Sequence, residues 1–449
     1  MKEDFKGKNV TVIGLARSGV SAALALKSQG ANVFGTDAGK PDAEKVCPME
    51  EAGIVFETGG HTPRAFEADL AILSPGVPVT SKIVMEMRQK KIRVISEIEL
   101  AYLLTDADII GITGSNGKST TTALLGELLK SGKFQLRVGG NIGDALSGEL
   151  SGMNKGDVFV AEISSFQLDT AEKFRPNAAA ILNLTPDHLD RYPSADDYYA
   201  SKISITKNQT PEDLLVLNDD DPVSIRKKSG IKTKAKIATF SLDKEVRQGA
   251  FVRGNDIVIR NERGEKKIAK ADQVGLIGKH NLANILAAVI IADRYGISAE
   301  SIRETLRSFK GIEHRIEFVR TLNGVTFYND SKGTNVDSVR WALLGIKAGI
   351  HLIAGGRDKA GDFTSLNDLV REKVKSVHAI GEAAGKVQKA WQEITEMHMN
   401  SSMEDAVKSA FLASKSGDVV LLYPACASFD MYKNYEERGR HFKSIVEAL

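Results

Sequence analysis

The run from Ile109 to Ala123, IIGITGSNGKSTTTA, constrains this chain more than any other stretch. Ile109, Ile110 and Ile112 read as a buried strand that breaks at Gly114-Ser115-Asn116-Gly117, after which Lys118-Ser119-Thr120 opens a helix to about Lys130. A strand, a glycine-rich turn, a lysine and a hydroxyl in that order read as a phosphate loop. The glycines let backbone N–H groups converge on anionic oxygens, the helix N-terminus adds its positive field, and Lys118 can reach the β and γ phosphates. Ser119 can ligate Mg²⁺, so a nucleoside triphosphate is the expected ligand. Ile112 stands where the usual motif has its first glycine, leaving a shortened GxxGKS loop, which argues against ordinary GTPases and adenylate kinase relatives. A glycine-rich turn that binds nothing is the alternative reading.

The 449 residues suffice for two to four domains. With 60 Lys and Arg against 58 Asp and Glu the net charge is +2, without long runs of one sign, so neither nucleic acid nor an anionic membrane is the expected partner. Two distant cysteines, Cys47 and Cys426, argue against a disulfide framework and for the cytoplasm. MKEDFKGKNVTVIG enters a strand without an apolar signal core, and no run approaches the ~18 apolar residues of a membrane span.

Three α/β units follow from the pattern of strands. Val10 to Ile13, the turn Gly14-Leu15-Ala16-Arg17-Ser18-Gly19, a helix and a strand ending at Asp37 are similar to a dinucleotide fingerprint, but Ala16 replaces its second glycine. A Rossmann-like domain for another nucleotide-bearing ligand, a true dinucleotide site and a turn without ligand all stay open. Asp69 to Leu73 runs into Ser74, at the strand end where parallel sheets place ligands, and Ile92 to Ile95 precedes a helix through Leu104. A boundary is expected near residue 97. The central unit continues through Gly139-Gly140-Asn141, a strand to Ile163 holding Glu162, a strand Ile181 to Leu184 leading to Asp187-His188-Leu189-Asp190, and a helix carrying Lys202. Glu162 and His188 are expected at strand ends, as a carboxylate and an imidazole facing Mg²⁺-nucleotide. Residues 230 to 275 read as an antiparallel extension, and Asn281 and Asn284, on one face of a helix from Leu282 to Tyr295, are either packing amides or partners of a base. From Gly311 on, strands Val325 to Asn329, Ile350 to Ala354, Ser376 to Ile380 and Asp418 to Tyr423 each end in a polar loop: a third doubly wound domain.

TGSNGKST, GGNIG, AEISSFQLD, NLTPDHLDRY, GKHNLANILAA, EHRIE, NDSKGTN, GGRDK and ACASFDMYKNYEERG occur in order, and with the Lys202 helix they resemble the Mur ligase family, most closely its D-glutamate-adding branch. The resemblance implies an α/β chain of three domains: a Rossmann-like UDP-substrate domain at 1–97, a central ATP-binding phosphate-loop domain at 98–310 and an amino-acid-binding domain at 311–449. It implies a monomeric cytoplasmic ligase of peptidoglycan synthesis that phosphorylates UDP-N-acetylmuramoyl-L-alanine on ATP and adds D-glutamate to the acyl phosphate. Two Mg²⁺ ions, replaceable by Mn²⁺, would be held by Ser119, Glu162, His188 and a carbamylated Lys202. Lys118 and the loop 114–120 would bind phosphates, with Asn281, Asn284, His314, Arg315, Asp330 and Lys332 on the rest of the nucleotide. Arg17, Ser18, Asp37, Ser74 and Asn141 match the UDP-sugar side; Thr334, Lys359, Ser428, Phe429 and Tyr435 match the D-glutamate pocket. Another Mur ligase, a folylpolyglutamate synthase-like enzyme and an NAD-dependent oxidoreductase using residues 8 to 37 are the competing readings.

Overall fold

Asn9–Ile13 (β1), Asn32–Asp37 (β2), Val55–Thr58 (β3), Leu70–Leu73 (β4) and Arg93–Ser96 (β5) form a parallel sheet in the order β3-β2-β1-β4-β5. The computed structural model describes residues 3–41, 43–141, 145–149, 153–188, 191–276, 278–334, 336–346, 349–358 and 361–449. β4 is buried along its whole length, and the helix Arg17–Ser28 turns Val20, Ala23 and Leu26 inward. Strand order reverses between β1 and β4, which opens a crevice at their C-terminal ends, where Gly14 and Ser74 lie.

The expected helix after β5 spans Glu97–Leu104, and Ser96 caps it by accepting from Glu99 N. Its two buried acids hold the next part of the chain. Glu99 accepts from the backbone N–H groups of Glu172, Lys173 and Phe174 at 2.7 to 3.0 Å. Glu97 accepts from Ser147 N at 2.6 Å, and its burial raises its pKa.

The central sheet contains Asp108–Thr113 (β6), Leu136–Gly140 (β7), Val158–Glu162 (β8), Ala178–Ile181 (β9), Leu214–Asn218 (β10), Lys236–Ser241 (β11), Gly249–Arg253 (β12), Asp256–Asn261 (β13) and Gly264–Lys270 (β14). Their order is β14-β13-β12-β11-β10-β9-β6-β8-β7. Two expectations shift here. β9 starts and ends three residues earlier than the apolar run suggested, because Ala178, Ala179 and Ala180 are small enough to be wholly buried between β6 and β10. His188 consequently lies on a loop well beyond the strand end. The extension is antiparallel only across β12, β13 and β14, whereas β10–β11 and β11–β12 are parallel. The helix Pro222–Lys228 supplies the crossover that a parallel β10–β11 pair requires.

The third sheet runs β15-β16-β20-β17-β18-β19, from Glu317–Leu322 (β15), Val325–Asn329 (β16), Ile350–Gly355 (β17), Val374–Ile380 (β18), Glu396–Met399 (β19) and Val419–Leu422 (β20). β15 is antiparallel to β16; the other pairs are parallel, so the loops after β16, β17 and β20 leave one edge. β15 and β19 escape a sequence reading because both are half-exposed edge strands without a continuous apolar run. By backbone contacts the chain divides into two units, Met1–Val274 with Ala283–Arg307, and Gly275–Leu282 with Ser308–Leu449.

A buried polar chain crosses the third sheet. His351 Nε2 meets Asp418 Oδ2 at 3.3 Å and His351 Nδ1 meets Ser376 Oγ at 2.7 Å. Ser376 Oγ also meets His378 Nε2 at 2.8 Å, and His378 Nδ1 meets Ser409 Oγ at 2.9 Å. Burial lowers the pKa of His351, and burial with the neighbouring His398 and His351 pushes that of His378 down to about 3. Both rings are neutral in the fold, while the unfolded chain protonates them below about 6.5. Their stabilisation is therefore complete above that value and is lost as pH falls below it, for His378 down towards 3 at no more than about 1.4 kcal/mol per pH unit while its ring stays neutral. Thermal melts from pH 8 to 5 should show a falling Tm below neutrality, and His378→Asn should flatten that fall; a variant with the wild-type slope would remove the histidine from it.

Candidate active site

The expected phosphate loop is present. β6 ends at Thr113, Gly114 and Gly117 have φ of 145° and 85°, and the helix Lys118–Leu129 starts at the lysine. Both glycines are required: positive φ strains any L side chain, and a Cβ on Gly117 would collide with Asn284 Oδ1. Asn284 is thereby placed against the loop. The residues after β9 brace it from the other side. Asn183 O accepts from Ser115 N at 3.0 Å, Asn183 Oδ1 accepts from Asn116 N at 2.8 Å, and Ser115 Oγ donates to Thr185 O at 2.8 Å. Lys118 Nζ donates to the carbonyls of Gly114 and Ser115 at 2.8 and 2.9 Å, so its charge sits over the loop.

Glu162 ends β8 and is 2% exposed. Its Oε1 accepts from Asn141 Nδ2 at 2.8 Å, while its buried Oε2 has no hydrogen-bond partner among the described residues. Lys202, on the helix Ala195–Ile203, is 1% exposed, with its nitrogen 4.5 Å from the centre of the Tyr198 ring. Burial, then the charge of Lys118, pull its pKa well below that of an ordinary lysine; Asp187, Glu162 and Asp169 pull the other way. Lys118, Lys202 and Glu162 thus share one electrostatic neighbourhood. His188 has φ of 54° and contacts the edge of Phe166 with ring centres 4.9 Å apart. The His188 backbone N–H donates to Asp187 Oδ1 at 2.9 Å. Leu189 and Asp190 lie outside the described residues.

At the first sheet's crevice, Ser74 Oγ donates to Gly14 O at 2.7 Å. Asp37 takes the N–H groups of Leu15 and Gly39, each at 2.7 Å, so both carboxylate oxygens organise the turn. Ser18 is in the first turn of the helix Arg17–Ser28, and Arg17 Nη2 reaches Asn141 O at 3.4 Å, which joins this crevice to the residue that holds Glu162.

The second unit gathers its expected residues around the end of β16. Burial raises the pKa of Asp330 to about 6 against the pull of Arg315, whose Nη1 is 3.8 Å from Asp330 Oδ1. Glu313 and Glu317, the alternative partners for Arg315, instead hold Lys443 at 2.5 and 2.9 Å. His314 is buried, with φ of 64°, and its Nδ1 meets Asn329 Nδ2 at 2.9 Å. The Tyr435 ring lies edge-on to His314 and beneath the Lys332 nitrogen, so it neighbours the residues matched to the nucleotide. Ser428 is buried with its carbonyl accepting from Met431 N and Tyr432 N, Phe429 is 60% exposed, and Thr334 is half-buried. Asn281 is in the segment Gly275–Leu282 of this unit. Lys359 lies outside the described residues.

Sequence reasoning missed Arg438. Its guanidinium is buried and donates to Ser331 Oγ and O, Cys426 O and Ala427 O, joining the loop after β16 to the loop after β20. Burial lowers its pKa to about 10. The signal was available, because Arg438 shares the inward face of the helix Tyr435–Ala448 with Phe442 and Ile445.

A phosphate loop at the end of a parallel strand, with a buried carboxylate and a buried lysine beside it, defines an α/β enzyme built to handle nucleotide phosphates. Family models match over most of its length: MurD N-terminal domain at residues 9–83, Mur ligase middle domain at 112–292, and Mur ligase, glutamate ligase domain at 314–426. The chain belongs to the Mur ligase family, in the branch of the UDP-N-acetylmuramoylalanine-D-glutamate ligases. It is 44% identical to the enzyme of that name from Koribacter versatilis over 99% of this chain and 98% of the relative, and 42% identical to that from Acidobacterium capsulatum over 99% and 97%. The fold is that of UDP-N-acetylmuramate-alanine ligase MurC from Thermotoga maritima, with a TM-score of 0.62 at 19% identity over 98% and 99% of the chains. It also matches the MurF ligase of Thermotoga maritima in complex with ADP, with a TM-score of 0.61 at 16% identity over all of both chains. No helix among the described residues is long and apolar enough to cross a membrane.

Proposed function

We propose that this chain is a cytoplasmic, monomeric, ATP-dependent ligase that joins D-glutamate to UDP-N-acetylmuramoyl-L-alanine. The observation that carries the chemistry is the convergence of Lys118, Lys202 and Glu162 beside the phosphate loop. The substrate carboxylate attacks the γ-phosphorus and the bond to the β-phosphate oxygen breaks, leaving ADP and an acyl phosphate. The D-glutamate nitrogen then attacks the acyl carbon, phosphate departs and the nitrogen loses its proton. Charge develops on phosphoryl oxygens in the first step, and Lys118 is the cation placed to gather it.

The site suits a divalent cation, since Glu162 keeps a buried carboxylate oxygen without a hydrogen-bond partner among the described residues. Ser119, Glu162, His188 and a carbamylated Lys202 would hold two Mg²⁺, or Mn²⁺, which would neutralise phosphate charge. A lysine with a depressed pKa has the unprotonated nitrogen that carbamylation by CO₂ needs, and the product is an anionic oxygen ligand in place of a repelling ammonium. We assign residues 1–97 to the UDP substrate through Arg17, Ser18, Asp37, Ser74 and Asn141. Residues 98–310 would take ATP, and 311–449 would take the amino acid through Thr334, Lys359, Ser428, Phe429 and Tyr435. Asn281, Asn284, His314, Arg315, Asp330 and Lys332 complete the nucleotide contacts in this reading.

Phosphate release measured with UDP-N-acetylmuramoyl-L-alanine and each of D-Glu, L-Glu, L-Ala, L-Lys and diaminopimelate tests the assignment. Turnover is expected with D-Glu; turnover with another amino acid in its place would reassign the substrate. Lys118→Ala should leave the melting curve unchanged and lower kcat by about 10²-fold. Wild-type turnover in that folded variant would remove the loop lysine from catalysis.

A further inference from the structure

A cavity of about 360 Å³ opens in the first unit at a place the proposed reaction does not use. It lies among the N-terminal ends of β10 and β11, the start of β12, the β13–β14 turn and the last turn of the helix Lys279–Arg294. The phosphate loop follows the C-terminal end of β6, and β6, β9, β10 and β11 are parallel, so the cavity is at the opposite edge of the sheet. Leu214, Ile237, Ala238, Ile259 and Ile290 give it an apolar lining.

The charged lining residues divide into those already neutralised and those that are not. Asp213 is held by Arg175 at 2.7 Å, Asp293 by Lys266 at 2.9 Å, and Arg260 by Glu245 and Glu265. Arg294 donates to the carbonyl of Glu212 and attracts the half-buried Asp108, which is not part of the lining, and Lys236, Arg263 and Glu262 make no ion pair among the described residues. Among the lining residues outside ion pairs, three cations therefore stand against one acid, an excess of two positive charges. A phosphate monoester carries about −1.5 to −2 at neutral pH, which matches that excess, and the cavity is within the ~300–1,000 Å³ of small-molecule sites.

We propose that this cavity binds a phosphate monoester bearing an apolar ring, of the size of a nucleotide fragment, at a site separate from the phosphate loop. The ring lies against the aliphatic lining and the phosphate meets Lys236, Arg263 and Arg294. The helix from Asn284, which touches Gly117 of the loop, to Asp293 at the cavity gives a separation of about 14 Å at ~1.5 Å per residue.

The test is titration of the full-length protein with phenyl phosphate, followed by ligand-observed NMR, with the phosphate loop saturated by a non-hydrolysable ATP analogue and Mg²⁺. Saturable binding is expected in the wild type, weakened at least about tenfold in Lys236→Glu/Arg263→Glu. Both residues are exposed, and an unchanged Tm verifies the fold of the variant. The proposal is overturned by no saturation up to about 10 mM, by equal binding to both proteins, or by displacement of phenyl phosphate by the ATP analogue. Inorganic phosphate binding as tightly as phenyl phosphate would likewise overturn the ring site, leaving only a charged patch.

Discussion

Lys202→Ala should lower turnover by about 10³-fold while the protein still folds. The side chain is buried next to Lys118 and Glu162, so its loss removes a group from the centre of the proposed phosphoryl-transfer site. If the working form is a carbamate, the missing element is an anionic oxygen, and formate or acetate in excess should restore part of the activity. Neither salt would help if the lysine acted as a cation, which gives the rescue experiment its discriminating power. Exhaustive removal of CO₂ and bicarbonate from the wild type should reduce activity reversibly for the same reason. A fully active Lys202→Ala enzyme, with a wild-type melting curve, would show that this lysine only fills space.

Arg438→Ala should destabilise the protein by roughly 3 kcal/mol or more, because it orphans buried acceptors on two loops at once. Those loops carry Asp330, Lys332 and Ser428, so the surviving folded protein should also lose affinity for its substrates. Lys at this position cannot replace it, since one ammonium does not span the acceptors that a planar guanidinium reaches together. Denaturant unfolding and steady-state kinetics with each substrate varied would measure the two effects. Wild-type stability in Arg438→Ala would mean that water replaces the guanidinium without cost, and the link between the loops would have to be abandoned.

The difference between these residues explains what can be read before folding. Lys118 stands in a local pattern, since strand, glycines, lysine and hydroxyl all act within a dozen residues, and the backbone shape that creates the anion site is specified there. The same holds for the Gly14 turn and for the polar loops ending β16, β17 and β20, where a break in an apolar run marks the functional edge of a parallel sheet. Arg438, Glu99 and the His351–Ser376–His378 chain have no such neighbourhood. Each reaches at least one partner far off in the chain, Glu99 finding Phe174 75 residues on, Arg438 finding Ser331 107 residues back and His351 finding Asp418 67 residues on, and burial turns these ordinary charged or polar residues into fixed donors and acceptors.

By itself the sequence determined three successive α/β sheets, the phosphate loop and the family to which they belong, because strand periodicity, glycine geometry and motif order are local properties. Only the tertiary structure decided that β9 ends before Leu182, freeing Asn183 and Thr185 to brace the loop. It also decided that Glu162 keeps a buried oxygen without a hydrogen-bond partner among the described residues, and that Lys202 is stripped of water. Desolvation and long-range hydrogen bonding depend on which atoms surround a group in three dimensions, and that neighbourhood exists only once the sheets have formed and their loops have met.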